Sequence, residues 1–469
     1  MKRFGFLCSI FVFASAGKSQ AITLEEYLNE VRNKHQGYKA SDEAKDGAKL
    51  KAEDGSLIFA PNVFANVQQS VDEKPPANPA TGDKLSVGAA SVGVGKMFSS
   101  GTQAKISYNM THIDMANANP QAVPMAEAYE GKPVVEVSQP LWRNFFGKEV
   151  RAAADLSREQ ANATKHTEAF KQKMILAEAE GIYWRLALAR DAVAIQKDSL
   201  ERARKTKQWS AGRVKLSLGD KADMYQADTA VKAKELELQM AVDEEQAAAR
   251  AFNAARGIAS SAMTDPLQKI DAALVGSIKV PKKVGTRGDV EAAKAYKEIA
   301  SLSAELNEEK YRPTLELFGS YAYNSREEEL GDATSNSFKS DYPTTVVGLR
   351  LSAPLGRDII NNSRAGYRKD EAAAAMNAER KAFEVEQQWN DSVERLEQAK
   401  KRLNLALDVE KIQREKLEYE RNRLRRGRTT TYQVIVFEQD YATSQLNRIR
   451  AQADILRIAA QLKTFGDET

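Results

Sequence analysis

The side chains best suited to metal or nucleophilic chemistry are scarce: one cysteine, Cys8, and three histidines, His35, His112 and His166, in 469 residues. They are dispersed, which argues against a His-rich metal site, and a single cysteine allows neither a disulfide framework nor a Cys-based zinc site. No Ser-His-Asp order stands out. Gly17-Lys18-Ser19 and Gly93-Val94-Gly95-Lys96 look like phosphate loops only briefly. The first lies in a leader, and the second lacks both the opening glycine at the required spacing and a Ser or Thr after the lysine. Asp and Glu are plentiful, but on the helical stretches they alternate with Lys and Arg as on a solvated, i,i+4-paired face. The expectation is no enzyme, no cofactor and no bound metal.

The elements around these residues are long and repetitive. Mean hydropathy is −0.52, and after residue 21 no apolar run approaches the roughly 18 residues of a membrane-spanning helix. A multi-pass helical membrane protein is therefore excluded. Residues 1–21 read as a secretory signal peptide, with Lys2 and Arg3, then the apolar stretch Phe4 to Phe13, then small residues as far as Ala21. Cleavage after Ala16 or Ala21 is open, with Ala21 favoured because an ordered pattern starts at Ile22. Without the leader, 66 basic residues face 65 acidic ones, a net charge of +1. The one dense basic cluster, Arg421 to Arg428, follows Glu415, Glu418 and Glu420. Charge balance and export both argue against a nucleic-acid partner.

The chain reads as an internal duplication. Ala60-Pro61-Asn62 matches Arg312-Pro313-Thr314, Val134 to Leu141 matches Val346 to Leu355, and Gly212-Arg213 matches Gly427-Arg428. The first repeat covers 22–258, a connector 259–287, and the second repeat 288–469. Each half carries a first helix (roughly Ile22–Ile58 and Asp289–Lys310). A long helix follows (147–211 and 359–426), then a Gly-marked turn and a returning helix (221–256 and 430–465). At 1.5 Å per residue each long helix is on the order of 100 Å. Phe170, Met174, Ala177, Gly181, Trp184 and Leu188 step by fours and threes, as do Ala442, Leu446, Ile449, Ala453, Leu456 and Ala460. Trp389, Val393, Leu396, Leu403 and Leu407 fit the same spacing, with Lys400 at one position. Such spacing makes a continuous seam for a neighbouring helix.

Strands are expected near 61–72, 85–98, 102–112 and 133–141 in the first half, and near 313–324 and 344–353 in the second. They alternate with period two. Ile106, Leu317 and Leu349 fall on an apolar face, and Lys105, Glu316 and Arg350 on a polar one. Such strands suit an outer-membrane barrel, whose apolar face meets lipid and whose polar face lines a lumen. The first half carries 38 extra residues between its proline-marked strands, read as one added hairpin, so a chain offers six strands, or four if the hairpin lies outside the membrane. Neither number closes a barrel, because single-chain barrels start at eight strands and open edges are not tolerated in lipid. Several chains must share one barrel.

ITLEEYL at Ile22–Leu28, the proline-preceded strands, VSQPLW at Val137–Trp142, and the Gly-Arg turns followed by QAD and EQD resemble the TolC-like outer-membrane efflux proteins. The resemblance spans Ile22 to about Gly466. It implies an α+β membrane protein: a homotrimer with a shared outer-membrane β-barrel, continued by a long periplasmic α-helical coiled-coil barrel. It also implies an adaptor (membrane fusion) protein and an inner-membrane pump as partners. The function implied is passive export of small molecules, metals or polypeptides in a tripartite efflux or type I secretion system. The periplasmic tips would be Gln208–Asp223 and Leu424–Gln433, with Gly212, Arg213, Gly427, Arg428 and Thr429 as adaptor contacts. The family's acidic constriction falls on Gln433 and Val436 here. The gate expected is therefore weakly acidic, lined by Thr431, Gln433 and Val436, with Asp220 and Asp223 from the first tip. The competing reading is a periplasmic adaptor or structural coiled coil without channel activity.

Overall fold

The computed structural model describes residues 21–76, 78–260, 266–268, 270–271, 275–339 and 341–466. The signal peptide expected over residues 1–21, with Cys8, lies outside the described residues as far as residue 20, as do positions 261–265, 269 and 272–274 of the expected connector. The helices are α1 (Leu24–Lys34), α2 (Gln36–Lys51), α3 (Lys148–Lys215), α4 (Lys221–Ala255), α5 (Gly288–Lys310), α6 (Leu330–Asn336), α7 (Arg357–Arg425) and α8 (Thr431–Lys463). The strands are β1 (Asn62–Asp72), β2 (Lys84–Met97), β3 (Gln103–Ala116), β4 (Glu127–Pro140), β5 (Thr314–Tyr323), β6 (Ser325–Glu327) and β7 (Pro343–Ser352). They fall into two compact units, and α3 and α7 contribute residues to both.

The sheet unit comprises 45–166 and 289–382. Its strands are antiparallel in the order β1-β2-β3-β4-β5-β7, with β6 pairing β4 beyond β5. The extra residues of the first half form the β2–β3 hairpin inside this sheet. Its turn closes with the Phe98 N–H on the Thr102 carbonyl and Gly101 at φ 77°. β4 begins six residues earlier than the alternation suggested. It also contains Pro133, which falls at the break between pairing with β6 (Tyr129 to Gly131) and with β5 (from Val134), where a residue lacking an N–H is tolerated. Past β4 the chain turns sharply into α3 through Asn144 (φ 57°), Phe146 (φ 46°) and Gly147 (φ 76°). The Asn144 side-chain oxygen accepts from the Glu149 and Val150 N–H groups and so satisfies two donors at the helix start.

The helical unit comprises 21–44, 167–288 and 383–466 of the described chain. Thr23 and Glu26 form a reciprocal capping box that starts α1. The single helix expected over Ile22–Ile58 is instead broken at His35, where ψ is 117°. The cause is local: the His35 N–H closes α1 on the Val31 carbonyl, and its Nδ1 accepts from the Tyr38 N–H to open α2. The first-half helix then ends in a 3-10 turn, Asp54–Phe59.

Among the cores of this unit two are large. One gathers Tyr27, Val31, Tyr183, Leu186 and Phe252, all fully buried. The other joins Leu396 and Leu403 of α7 to Ile455 and Leu462 of α8, with Trp389 and Val393 packed against them. Tyr27 stacks on Phe252 with centroids 4.2 Å apart. Burial holds its phenol far above the ordinary range, and its hydroxyl has no hydrogen-bond partner among the described residues. An unpaired buried hydroxyl costs stability, so Tyr27→Phe should leave the thermal midpoint unchanged or raised. Tyr27→Ala should cost about 3–5 kcal/mol. Circular dichroism melts of the two variants check this.

Candidate functional site

The sheet presents two unlike faces. Registered pairs carry one apolar row across five strands: Val63, Val94, Ile106, Val135 and Tyr321. Every member is at least 43% exposed. Leu317 with Leu349, and Leu315 with Leu351, extend that face onto β7. Aromatic side chains mark both ends of it. Tyr129, stacked on His112 at 4.4 Å, and Tyr323 stand at one end, and Trp142, Phe145 and Phe146 beyond the other. Exposed apolar surface this extensive marks an interface with a membrane or another protein.

The opposite face carries the three polar positions singled out in the sequence. Lys105 pairs with Glu136 at 3.5 Å, and Arg350 with Glu316 at 3.4 Å. The two pairs share a face without meeting. Sequence reasoning missed the aromatic rings beneath them. Lys105 lies 4.8 Å from the Phe64 ring centroid and Arg350 5.1 Å from that of Phe318. Each ring covers a glycine on the neighbouring strand: a Cβ on Gly93 would stand 2.4 Å from Phe64, and one on Gly348 2.5 Å from Phe318. The matching pattern is a glycine inside a strand facing an aromatic one strand away, and it can be recognised only once the pairing register is known. Both ion pairs are solvent-exposed, so they shape the face more than they stabilise it.

The helix tips share one design, but in a different register from that expected. Gly212 lies inside α3, exposed, with nothing within 4 Å of where its Cβ would be. The first turn is made instead at Ser217 (φ 58°), the counterpart of Gly427 (φ 68°). In both tips the N–H one residue further on donates to the carbonyl of an arginine: Leu218 to Arg213, and Arg428 to Arg423. That arginine's guanidinium in turn donates to the same residue's carbonyl. The next helices are capped by Asp220 and Thr430, whose side-chain oxygens accept from the Ala222 and Gln433 N–H groups. The tip counterparts are thus Arg213 and Arg423, not Arg213 and Arg428. A non-glycine left-handed residue such as Ser217 gives no local signal, whereas the matching caps do.

Of the residues expected at a constriction, Asp220, Gln433 and Tyr432 beside it are exposed, while Asp223 and Val436 are half-buried. Thr431 is 2% exposed within the chain. Among the described residues no hydrogen bond or ion pair joins Asp220 or Asp223 to Gln433 or Val436. The polar node that does join the hairpins was not foreseen. Buried Glu438 accepts from Arg421 at 2.9 Å and from the Thr206 hydroxyl at 3.1 Å. Nearby, burial and then the Arg421 charge lower the Arg202 pKa, and its guanidinium lies 5.2 Å from the Tyr441 ring centroid. Arg428 is exposed, and Arg213 and Thr429 are half-buried.

Among the described residues no group of His, Cys, Asp or Glu is arranged to hold a metal, and no helix is long and apolar enough to cross a membrane. No family model and no curated protein matches the chain in sequence. Solved structures do match. The outer membrane protein VceC of Vibrio cholerae superposes with a TM-score of 0.69 at 16% identity, over 94% of this chain and 96% of that one. The Campylobacter jejuni CmeC outer membrane channel gives 0.67 at 11% identity, over 94% and 85%. The open state of the Neisseria gonorrhoeae MtrE outer membrane channel gives 0.64 at 14%, over 94% and 88%. This is the TolC-like fold.

Within that TolC-like fold the two tip glycines have opposite roles. Gly427→Ala forces a Cβ into the left-handed region and should cost about 1–2 kcal/mol. Gly212→Ala relieves a helix-interior glycine and should stabilise by about 0.5–1 kcal/mol. Thermal unfolding of the two variants separates them by sign.

Proposed function

We propose that the chain is one subunit of a trimeric outer-membrane duct. Its sheet joins those of two further copies in a shared barrel, and its helices form a periplasmic tunnel that meets an adaptor protein and an inner-membrane pump. The observation that carries this reading is the exposed apolar row across β1 to β5, bounded by two strands with one partner each. β1 pairs only with β2, and β7 only with β5, among the described residues. Lipid accepts a sheet only when no edge is left open.

The dimensions agree with a membrane span. From Tyr129 to Trp142 is 13 residues, about 43 Å of strand at ~3.3 Å per residue. A tilt of about 45° projects this to about 30 Å, the thickness of the hydrocarbon core. Six long strands from each of three copies make eighteen in all, a number at which barrels leave an aqueous channel. On this reading Lys105, Glu316 and Arg350 face the lumen. Arg213, Gly427, Arg428 and Thr429, with Gly212 one turn behind, belong to the adaptor-facing tips. Asp220, Asp223, Gln433 and Val436 surround a weakly acidic tunnel entrance. The duct itself is passive, with export driven by the pump, and its cargo is of the small-molecule, metal or polypeptide classes.

Planar-bilayer recording on the purified protein, with oligomer mass measured in the same sample, tests the proposal. Conducting insertions from a three-copy species are the expected result. A protein that washes from membranes in carbonate and never inserts would instead be an adaptor or a structural coiled coil. Leu349→Lys, on the apolar face, should cost about 2–4 kcal/mol toward the bilayer middle and abolish insertion, while Ser352→Lys on the opposite face should insert normally. Equal tolerance at both positions would overturn the assigned facing.

A further inference from the structure

The two helix tips share one backbone and differ in chemistry. Ser217 matches Gly427 by its φ angle, and Arg213 matches Arg423 by its hydrogen bonds. Each position of the first tip therefore has a counterpart 210 residues on. Lys215 matches Arg425, another cation, but Leu216 matches Arg426 and Leu218 matches Arg428. Leu216 is 70% and Leu218 64% exposed, and all three arginines are exposed.

Helix ends account for only part of this. The helix dipole favours a cation in the last turn, and Lys215 and Arg425 are the last residues of α3 and α7. Arg426 and Arg428 lie past that end, just before Thr430 caps α8. There the positive end of the next helix disfavours a cation. The first tip places the carboxylate of Asp220 at this point, and the second only a hydroxyl. The exposed leucines stand outside the tip core, which is Leu417, Leu424 and Val434 with Trp209 of α3 packed against it. That core holds the two tips side by side.

Counting both signs leaves a surplus. Lys215, Lys221, Arg425, Arg426 and Arg428 have no ion-pair partner among the described residues, and neither have Asp220 and Asp223. With both carboxylates matched to cations, three cations remain. Other carboxylates are engaged or distant. Asp228 pairs with Lys207, Glu420 with Arg423 at 2.8 Å and Glu438 with Arg421 at 2.9 Å. Glu418 stands seven residues before Arg425, about 10 Å of helix. Exposed apolar side chains that fill no core suit an interface, and unmatched guanidinium groups complement carboxylates.

We propose that the paired tips form a two-part docking surface for a protein. Its partner face is apolar opposite Leu216 and Leu218, and carries Asp or Glu opposite Arg425, Arg426 and Arg428. This rests on the adaptor-docking role proposed for the tips and gives the adaptor's face its chemistry.

Two disulfide-closed helical hairpins serve as probes. The turn of one carries leucine and three glutamates, and that of the other leucine and three glutamines. Each is labelled and titrated against the assembled protein in phosphatidylcholine nanodiscs, and bilayer conductance is recorded from the same preparation. The glutamate hairpin should bind roughly tenfold more tightly at about 50 mM salt, and the gap should close at about 500 mM. Arg426→Gln with Arg428→Gln should remove most of the gap, while Arg426→Lys with Arg428→Lys should keep it. Oligomer mass and helical content should be unchanged in both. Leu216→Ser with Leu218→Ser should weaken both hairpins alike. Equal binding of the two hairpins by a protein that conducts would overturn the proposal and leave the duct standing. A glutamate preference in a protein that never inserts would do the reverse. A preference that emerges only after Asp220→Asn with Asp223→Asn would show the arginines taken up by a second copy. Phosphatidylglycerol vesicles that bind more tightly than the glutamate hairpin, and lose binding in the glutamine variant, would make the partner a lipid surface. Either of these last two results also overturns the proposal.

Discussion

The unpaired backbone of two sheet edges is the constraint on which the rest of the structure depends. β1 and β7 each present a row of N–H and C=O groups with no partner among the described residues. In water such edges invite aggregation, and in hydrocarbon each unsatisfied group costs several kcal/mol. The apolar residues along them, Val63 and Val67 on one edge and Val347 and Leu349 on the other, are among the most exposed in the protein. Closing β1 onto β7 of the same copy would make a barrel of six long strands, fewer than the eight at which single-chain barrels start. Edge-to-edge joining with further copies removes both edges, and it buries backbone polarity without touching the polar face that carries Lys105, Glu136, Glu316 and Arg350.

The helical unit solves a different problem. Its helices are too polar to enter a membrane, and its stability rests on packing small and large residues between neighbours. Where large residues interleave, as with Leu396, Leu403, Ile455 and Leu462, a core forms. Along α3, Ala177 and Gly181 line an open groove, while Leu188 two turns on packs into that same core. Heptad spacing sets which face a helix turns inward, and side-chain volume sets whether that face is filled. At the tips, hydrogen bonds do the work instead. Arg213 and Arg423 each clamp the carbonyl five residues on, and a capping Asp220 or Thr430 restarts the chain.

Much of this was legible in the amino-acid order. Period-two alternation located the six long strands and separated Ile106, Leu317 and Leu349 from Lys105, Glu316 and Arg350, because side-chain facing in a strand depends only on parity. Pro133 hid the start of β4, since a proline argues against a central strand until the gap between β5 and β6 is known. The break at His35 was invisible because both hydrogen bonds that make it are local choices, compatible with a continuing helix. Gly212 drew the first turn five residues too early, because glycine is the usual left-handed residue and Ser217 is not. The aromatic rings over Gly93 and Gly348 could not be read without the pairing register, and neither could the Glu438 node that links Arg421 to Thr206. These are contacts between segments far apart in sequence.

The claim that the sheet is completed by other copies can be tested on the edges themselves. Cys8 is the one cysteine in the sequence, so with Cys8 replaced by serine, cysteines introduced together at Val67 of β1 and Val347 of β7 can be cross-linked without background. Treating membranes that contain this double variant with a short bis-maleimide should give dimer and trimer bands and no larger species on denaturing gels. A product confined to the monomer, with one bridge closing β1 onto β7 of the same chain, would contradict the account.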